Sequence, residues 1–253
     1  VYFFYTTLYK TEEESFEEGR VDLLQIKPFN LAERGISLKE TDVYEDLKKK
    51  VSVFKPDLIG ITIVEDTWQL TRSLLESIKE FDIPVIAGGV HVTAVPDEII
   101  ADKNIDMICL GEGEEALIEL CQKIAKRKDY AKVKNLWVKK DGKILKNSLR
   151  TLTDINKLPY IDYDIWGKEK LARPMFGKIY TMIHVEIDRG CPNQCTYCAA
   201  PYLKKVFLEQ GCGHYYRRKA IPRLMAELEY LVAKYKPDYI NFNSETFLAK
   251  PLA

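Results

Sequence analysis

The segment EIDRGCPNQCTYC, residues 186–198, brings Cys191, Cys195 and Cys198 together at intervals of three and two intervening residues. Thiolates are the usual ligands of iron–sulfur clusters and of structural zinc. At this spacing all three could reach one centre from a single loop. An iron–sulfur cluster normally takes four thiolates, so three leave one iron without a protein ligand and open to substrate. The alternative is a four-ligand zinc site completed by Cys212 or His214. Crowding of three ligands into one loop favours the cluster, because zinc modules usually pair their cysteines across a hairpin.

The chain has six cysteines. Cys109 and Cys121 stand apart in apolar surroundings and are expected to be small buried hydrophobes. Cys212 sits in Gly211-Cys-Gly-His214, where a free surface thiol is expected. Arg217 and Arg218, just beyond, are either a solvated basic pair or contacts to a cofactor or substrate.

The elements that must position the loop follow from hydrophobic periodicity. Residues 21–26, 57–64, 84–87 and 106–110 read as short buried strands. Val43–Phe54, residues 68–81, 97–101 and 114–126 read as helices between and after them. Strands alternating with helices imply an α/β fold with a doubly wound parallel sheet over residues 1–132. Asp141-Gly142, between two strand-like runs in 135–146, signals a hairpin, and residues 153–166 read as an extended linker. Residues 133–178 are thus hairpin and linker. A second α/β unit over 179–253 contains a strand at 181–187, the cysteine loop, a helix over Ile221–Tyr235 and a strand at 239–242. The cysteine loop therefore leaves the carboxyl end of a strand, where active sites sit in barrels and open α/β sheets.

Three strand ends in the first half carry small residues: Thr62, then Gly88-Gly89 followed by His91, then Gly111-Glu112-Gly113. Absent side chains at adjacent strand ends describe a crevice for a large flat ligand. Tight turns alone would also explain the glycines.

Taken in order, PDLIGIT, GGVHVTAVPDE, GEGEEAL and CxxxCxxC with Tyr197 before the last cysteine resemble the family in which a cobalamin-binding domain precedes a radical S-adenosylmethionine domain. The resemblance covers residues 43–247. It implies a Rossmann-like cobalamin-binding sheet followed by the start of a (β/α) barrel. It also implies a 4Fe–4S cluster on Cys191, Cys195 and Cys198, S-adenosylmethionine on the open iron, Tyr197 against that cofactor, and Asn243, Ser244 and Glu245 near its methionine amino group. Thr62, Gly88, Gly89, His91, Gly111, Glu112 and Gly113 would meet cobalamin. The Asp-x-His-x-x-Gly pattern that supplies a lower cobalt ligand in other cobalamin proteins is absent.

The activity so implied is reductive cleavage of S-adenosylmethionine to a 5′-deoxyadenosyl radical, with cobalamin delivering a methyl group to an unactivated carbon of a small-molecule or natural-product substrate. The alternatives are a cobalamin-assisted cyclisation or rearrangement, and a non-catalytic module binding zinc and cobalamin. A flavodoxin- or ferredoxin-like electron donor is implied too. The family's barrel has further strand–helix units beyond the second strand, so the segment alone is expected to be inactive.

Lys plus Arg and Asp plus Glu each number 38, which gives no general attraction to nucleic acid. No apolar run reaches membrane-spanning length and no signal peptide is recognisable. The expected location is the cytoplasm. Dinucleotide GxGxxG and P-loop patterns are both missing.

Overall fold

A computed structural model describes residues 1–9, 21 and 27–249. The strand expected at 21–26 lies outside the described residues except for Val21. The chain divides into two compact units, one of Val1–Glu45, Asp154–Arg189 and Arg217–Ala253, the other of Asp46–Thr153 and Gly190–Tyr216.

In the unit containing Asp46–Thr153, five strands lie in the order β1-β2-β3-β4-β5: β1 (Ile59–Thr62), β2 (Val85–Gly88), β3 (Met107–Cys109), β4 (Leu136–Lys140) and β5 (Lys143–Lys146). The first three are parallel, with Thr62 opposite Gly88 and Ala87 opposite Ile108. The expected α/β architecture is therefore present. β4 runs antiparallel to β3, so the hairpin extends this sheet. Asp141 and Gly142 both take positive φ, 50° and 73°, which a two-residue turn matched to strand twist requires.

Helices α1 (Val43–Phe54), α2 (Trp68–Ile78), α3 (Val90–Ala94), α4 (Pro96–Ala101) and α5 (Glu114–Ala125) accompany these strands. Each longer one buries one stripe: Trp68, Thr71, Leu75 and Ile78 in α2, and Ala116 and Leu120 in α5. Cys121 is exposed rather than buried, a correction with a simple cause. One residue beyond Leu120 turns it about 100° off the buried stripe. The core of this unit gathers Ile63, Ala87, Val92, Ile108 and Leu110 with Phe207, Cys212 and Tyr215. Phe207 lies within α6 (Ala200–Glu209), a helix the sequence patterning did not single out, and Cys212 and Tyr215 follow it.

The other unit holds a sheet in the order β10-β7-β6: β10 (Tyr239–Asn243), β7 (Lys178–Glu186) and β6 (Ala172–Met175). β7 and β10 are parallel, with Asn241 opposite His184. β6 escaped prediction because Pro174 lies within it; as an edge strand it tolerates the missing N–H. A short pair, β8 (Asp188–Arg189) with β9 (Arg217–Arg218), completes the unit's strands. Helix α7 (Ile221–Tyr235) packs Leu231 with Ile183, Val185 and Tyr163.

α7 also holds the linker. Arg223 donates to the carbonyls of Asn156 and Leu158 (3.1 and 2.7 Å) and lies 4.1 Å over the Tyr160 ring. The fully buried Glu227 accepts from Lys219 at 2.7 Å and from Arg223 at 3.3 Å. Its Oε1 has no hydrogen-bond partner among the described residues. Stranding one member of a buried pair costs more than removing both. Lys219→Met is therefore expected to destabilise the chain by about 3–5 kcal/mol in urea denaturation. Lys219→Met with Glu227→Leu should recover much of that loss; equal destabilisation by the double variant would show that the pair is not a mutual constraint.

Candidate active site

The carboxyl ends of β1, β2 and β3 are locked together by backbone. Ile63 donates its N–H to the Gly88 carbonyl at 2.8 Å. Gly89 has φ +112°, and a Cβ there would sit 2.6 Å from the Ile63 oxygen, so no other residue fits without a shift. α3 begins at the next residue and carries His91, which is half-buried. The buried Thr93 hydroxyl donates to the Gly89 carbonyl (3.1 Å) and accepts from the Gly111 N–H (3.0 Å), tying the end of β2 to the end of β3.

The turn Gly111-Glu112-Gly113 is held by Asn135. Its buried carboxamide donates to the carbonyls of Leu110 and Glu112, both at 2.9 Å, and accepts from the Arg150 N–H at 2.7 Å. The Glu112 carboxylate accepts from the Thr153 N–H at 2.7 Å. Thr93 and Asn135 were missed in sequence, where a lone Thr or Asn carries no periodic signal; only the tertiary partners reveal them.

At Gly88 an added Cβ would make only ordinary contact, 3.9 Å from Cys109, so the position is not tightly packed. Val64 and Val90, which follow the two strand ends, expose 42% and 48% of their surface. Exposed valines beside the glycine-bearing strand end fit an extended ligand with an apolar face, such as a corrin ring. Thr62 is exposed beside it. At Gly111, with φ +70°, the space a side chain would take is filled by the Phe207 ring, 2.7 Å from the ideal Cβ position.

The cysteine loop belongs to this same unit. Gly190 has φ +76°, and a Cβ there would lie 2.4 Å from the Tyr215 carbonyl oxygen, so the loop's entry passes against its exit. Cys191 and Cys195 are half-buried and Cys198 is exposed. Cys198 donates its N–H to the Cys195 carbonyl at 3.2 Å. The Ala200 N–H, at the start of α6, points at the Cys198 sulfur at 3.4 Å. Tyr197 is 90% exposed, and its hydrogen bond to Cys195 raises its phenol above the ordinary range. Among the described residues no group of three or more His, Cys, Asp or Glu side chains is gathered for a metal, so the three sulfurs share a loop but not a point. An all-sulfur donor set suits an iron–sulfur cluster and also zinc.

Cys212 is buried, not on the surface as its glycine-rich setting suggested. Gly211, at φ +66°, turns the chain after α6; the Cys212 N–H then bonds the Phe207 carbonyl (2.9 Å) and its own carbonyl accepts from Leu152 (2.7 Å). Burial raises its thiol pKa, which opposes service as a zinc thiolate. His214 is exposed.

In the other unit, β10 ends in Asn243, followed by Ser244 and Glu245. The Ser244 hydroxyl donates to Asp188 at 2.7 Å and accepts from the Thr246 N–H at 3.2 Å. Asp188 is buried, and its second carboxylate oxygen has no hydrogen-bond partner among the described residues. Burial and then the Asp188 charge hold Glu245 above the usual carboxylate range. Asp188 was not among the residues chosen from sequence. Asn241 donates to both Asn243 (2.9 Å) and His184 Nδ1 (3.0 Å). Arg218 donates to the Phe247 and Ala249 carbonyls (2.7 and 3.1 Å).

A parallel-rich α/β sheet with glycines at its strand ends thus shares one compact unit with a three-cysteine loop. Residues 23–121 match the B12 binding domain family. An uncharacterized methyltransferase of Pyrococcus horikoshii, PH0819, is 27% identical over 216 residues, 83% of this chain and 44% of the relative. The structure of the cobalamin-dependent S-adenosylmethionine radical enzyme OxsB, with aqua-cobalamin and S-adenosylmethionine bound, superposes with a TM-score of 0.61 at 18% identity, over 91% of this chain and 33% of that one. The radical S-adenosylmethionine methyltransferase TsrM from Kitasatospora setae, with cobalamin and a [4Fe-4S] cluster bound, gives 0.56 at 17% identity, over 84% and 44%. Residues 23–121 thus match a B12 binding domain, and over most of its length the chain is similar to radical S-adenosylmethionine proteins that carry cobalamin. It spans less than half the length of each of these three proteins. Among the described residues no helix is long and apolar enough to cross a membrane.

Burial separates the thiols by reactivity. Cys109 is pushed up to about 12 by desolvation and then by the neighbouring Glu114 charge. Iodoacetamide at pH 8 is expected to alkylate Cys121, Cys195 and Cys198 in the native metal-free chain, and to spare Cys109 and Cys212 until denaturant is added. Peptide mass spectrometry would read this, and native labelling of Cys212 at the rate of Cys121 would contradict its burial.

Proposed function

We propose that this chain carries the cofactor sites of a cobalamin-dependent radical S-adenosylmethionine enzyme that transfers a methyl group to an unactivated carbon of a small molecule. The observation that carries the reading is that three sulfur donors, with an N–H aimed at one of them, share a compact unit with a B12-binding sheet. Cys191, Cys195 and Cys198 would hold the cluster, whose chemistry is one-electron reduction of S-adenosylmethionine. Methyl transfer is preferred to cyclisation because the Pyrococcus horikoshii relative, matched along 83% of this chain, is described as a methyltransferase.

The roles of the chain's own residues follow from their surroundings. Gly88 and Gly89 would let the corrin approach the backbone, with Thr62 and His91 at its edge. Gly111, Glu112 and Gly113 would support that surface from behind, since Phe207 and Thr153 already occupy Gly111 and Glu112. By the resemblance, Tyr197 would lie against S-adenosylmethionine, and Asn243, Ser244 and Glu245 would take its methionyl end. A carboxyl at Glu245 must be ionised to attract an ammonium, and its raised pKa delays that ionisation as pH rises. Affinity for S-adenosylmethionine is therefore expected to rise with pH through the Glu245 titration, and to lose that dependence in Glu245→Gln. Electrons would come from a small flavodoxin- or ferredoxin-like donor.

The test is anaerobic reconstitution of the chain with iron and sulfide. A reducible 4Fe–4S electron paramagnetic resonance signal that shifts on adding S-adenosylmethionine is expected, and its loss in the Cys191→Ala, Cys195→Ala, Cys198→Ala variant. Stoichiometric zinc with no response to S-adenosylmethionine would overturn the reading.

A further inference from the structure

We propose that Phe207 is a positioning residue: seated where Gly111 has no side chain, it fastens the cysteine loop to the B12-binding sheet and so sets the separation of the two cofactor sites. The inference rests on the assignment of those sites above. Its geometry stands independently of them.

Four observations within one unit converge on this contact. The Phe207 ring approaches the position of an absent Gly111 Cβ to 2.7 and 3.0 Å, too close for any side chain there. The ring is 6% exposed and stacks on Tyr215 at 5.7 Å and 21°. Tyr215 in turn abuts Gly190, the residue that opens the loop one position before Cys191. The chain after α6 is then pinned to the segment following the hairpin: Leu152 N–H to Cys212 carbonyl at 2.7 Å, and Leu149 N–H to the Gln210 side chain at 3.2 Å.

Phe207 thus stands between two fixed ends. On one side is the 111–113 turn, held by Thr93 and Asn135. On the other are Tyr215 and Gly190, which bound the loop. An aromatic plug in a glycine socket tolerates little rotation or slip, because interiors are packed to crystal density. A helix carried by that plug keeps the loop's amino end at one height above the strand ends. A radical or a methyl group must be delivered over a fixed short distance, and misplacement by about 1 Å can cost about a hundredfold in rate.

Three variants and two readouts test this in the intact protein. Phe207→Ala is expected to raise amide hydrogen exchange across residues 200–216 and 149–153 by about a hundredfold, while β1, β2 and β3 keep their protection. Gly111→Ala should loosen the same residues with Phe207 intact, and adding Phe207→Leu should restore part of the protection. Unchanged exchange in 200–216, or an equal rise throughout the sheet, would overturn the proposal. The second readout is the electron spin relaxation of cob(II)alamin in protein loaded with both cofactors. The reduced cluster should accelerate it in the parent protein, and Phe207→Ala should weaken or broaden that coupling at unchanged cluster content. Undiminished coupling in Phe207→Ala would remove the role in cofactor spacing. Failure of the parent protein to bind cluster or cobalamin would instead overturn the proposed function, along with the spacing role, and leave the exchange result standing as docking alone.

Discussion

The absent side chain at Gly111 is the constraint from which much of the cofactor-bearing unit follows. β3 is three residues long, and its chain must turn immediately into α5. The turn is affordable only with positive φ at Gly111 and with its carbonyls satisfied from the side by Asn135. Asn135 itself takes φ 72°, a conformation Asn tolerates better than most residues. The glycine then leaves a socket, and the socket accepts Phe207. Gly111, read in sequence as a glycine that faces a ligand, is in the structure also the seat of Phe207, ninety-six positions further along the chain.

The unit bearing β7 and β10 is organised by a different interaction, the burial of Glu227 between Lys219 and Arg223. Such a group is not a strong source of stability, since desolvating the charges offsets most of their attraction. Its value lies in geometry. Lys219 follows β9 directly, and its N–H bonds the Ile187 carbonyl at the end of the β7 segment. Arg223 reaches the linker carbonyls. The charge cluster therefore fixes where β9 and the linker lie against α7, and an apolar contact of equal area would specify that alignment less sharply.

Much of the fold was legible because local signals and tertiary outcome agree. Val43–Phe54 and Ile221–Tyr235 were read to the residue: one ends before Lys55-Pro56, the other admits Pro222 in its first turn, and both carry an apolar stripe. The hairpin announced itself through Asp141-Gly142. The misses have a shared cause. β6 contains a proline that only its edge position excuses, Cys212 is buried by a turn at Gly211, and Cys121 misses its stripe by one residue. The site was legible at its cysteines, whose spacing is the signal. Thr93, Asn135 and Asp188 were not, because a buried polar residue declares itself only through partners distant in sequence.

The two proposed cofactor sites differ in how firmly they are held, and their binding chemistry explains the difference. A corrin bound without covalent bonds to the chain must meet a surface already formed, since ordering that surface on binding would subtract from affinity. Accordingly Gly89 is fixed by Ile63, and Thr93 ties both strand ends. An iron–sulfur cluster makes strong metal–thiolate bonds that can themselves order a loop, as metal binding commonly drives local folding. Residues 193–199 are correspondingly exposed except for the half-buried Cys195, and their sulfurs are not gathered. What the chain must supply for the cluster is therefore not a rigid cage but fixed anchors at the two ends of the loop, and Gly190 and α6 are placed to be those anchors.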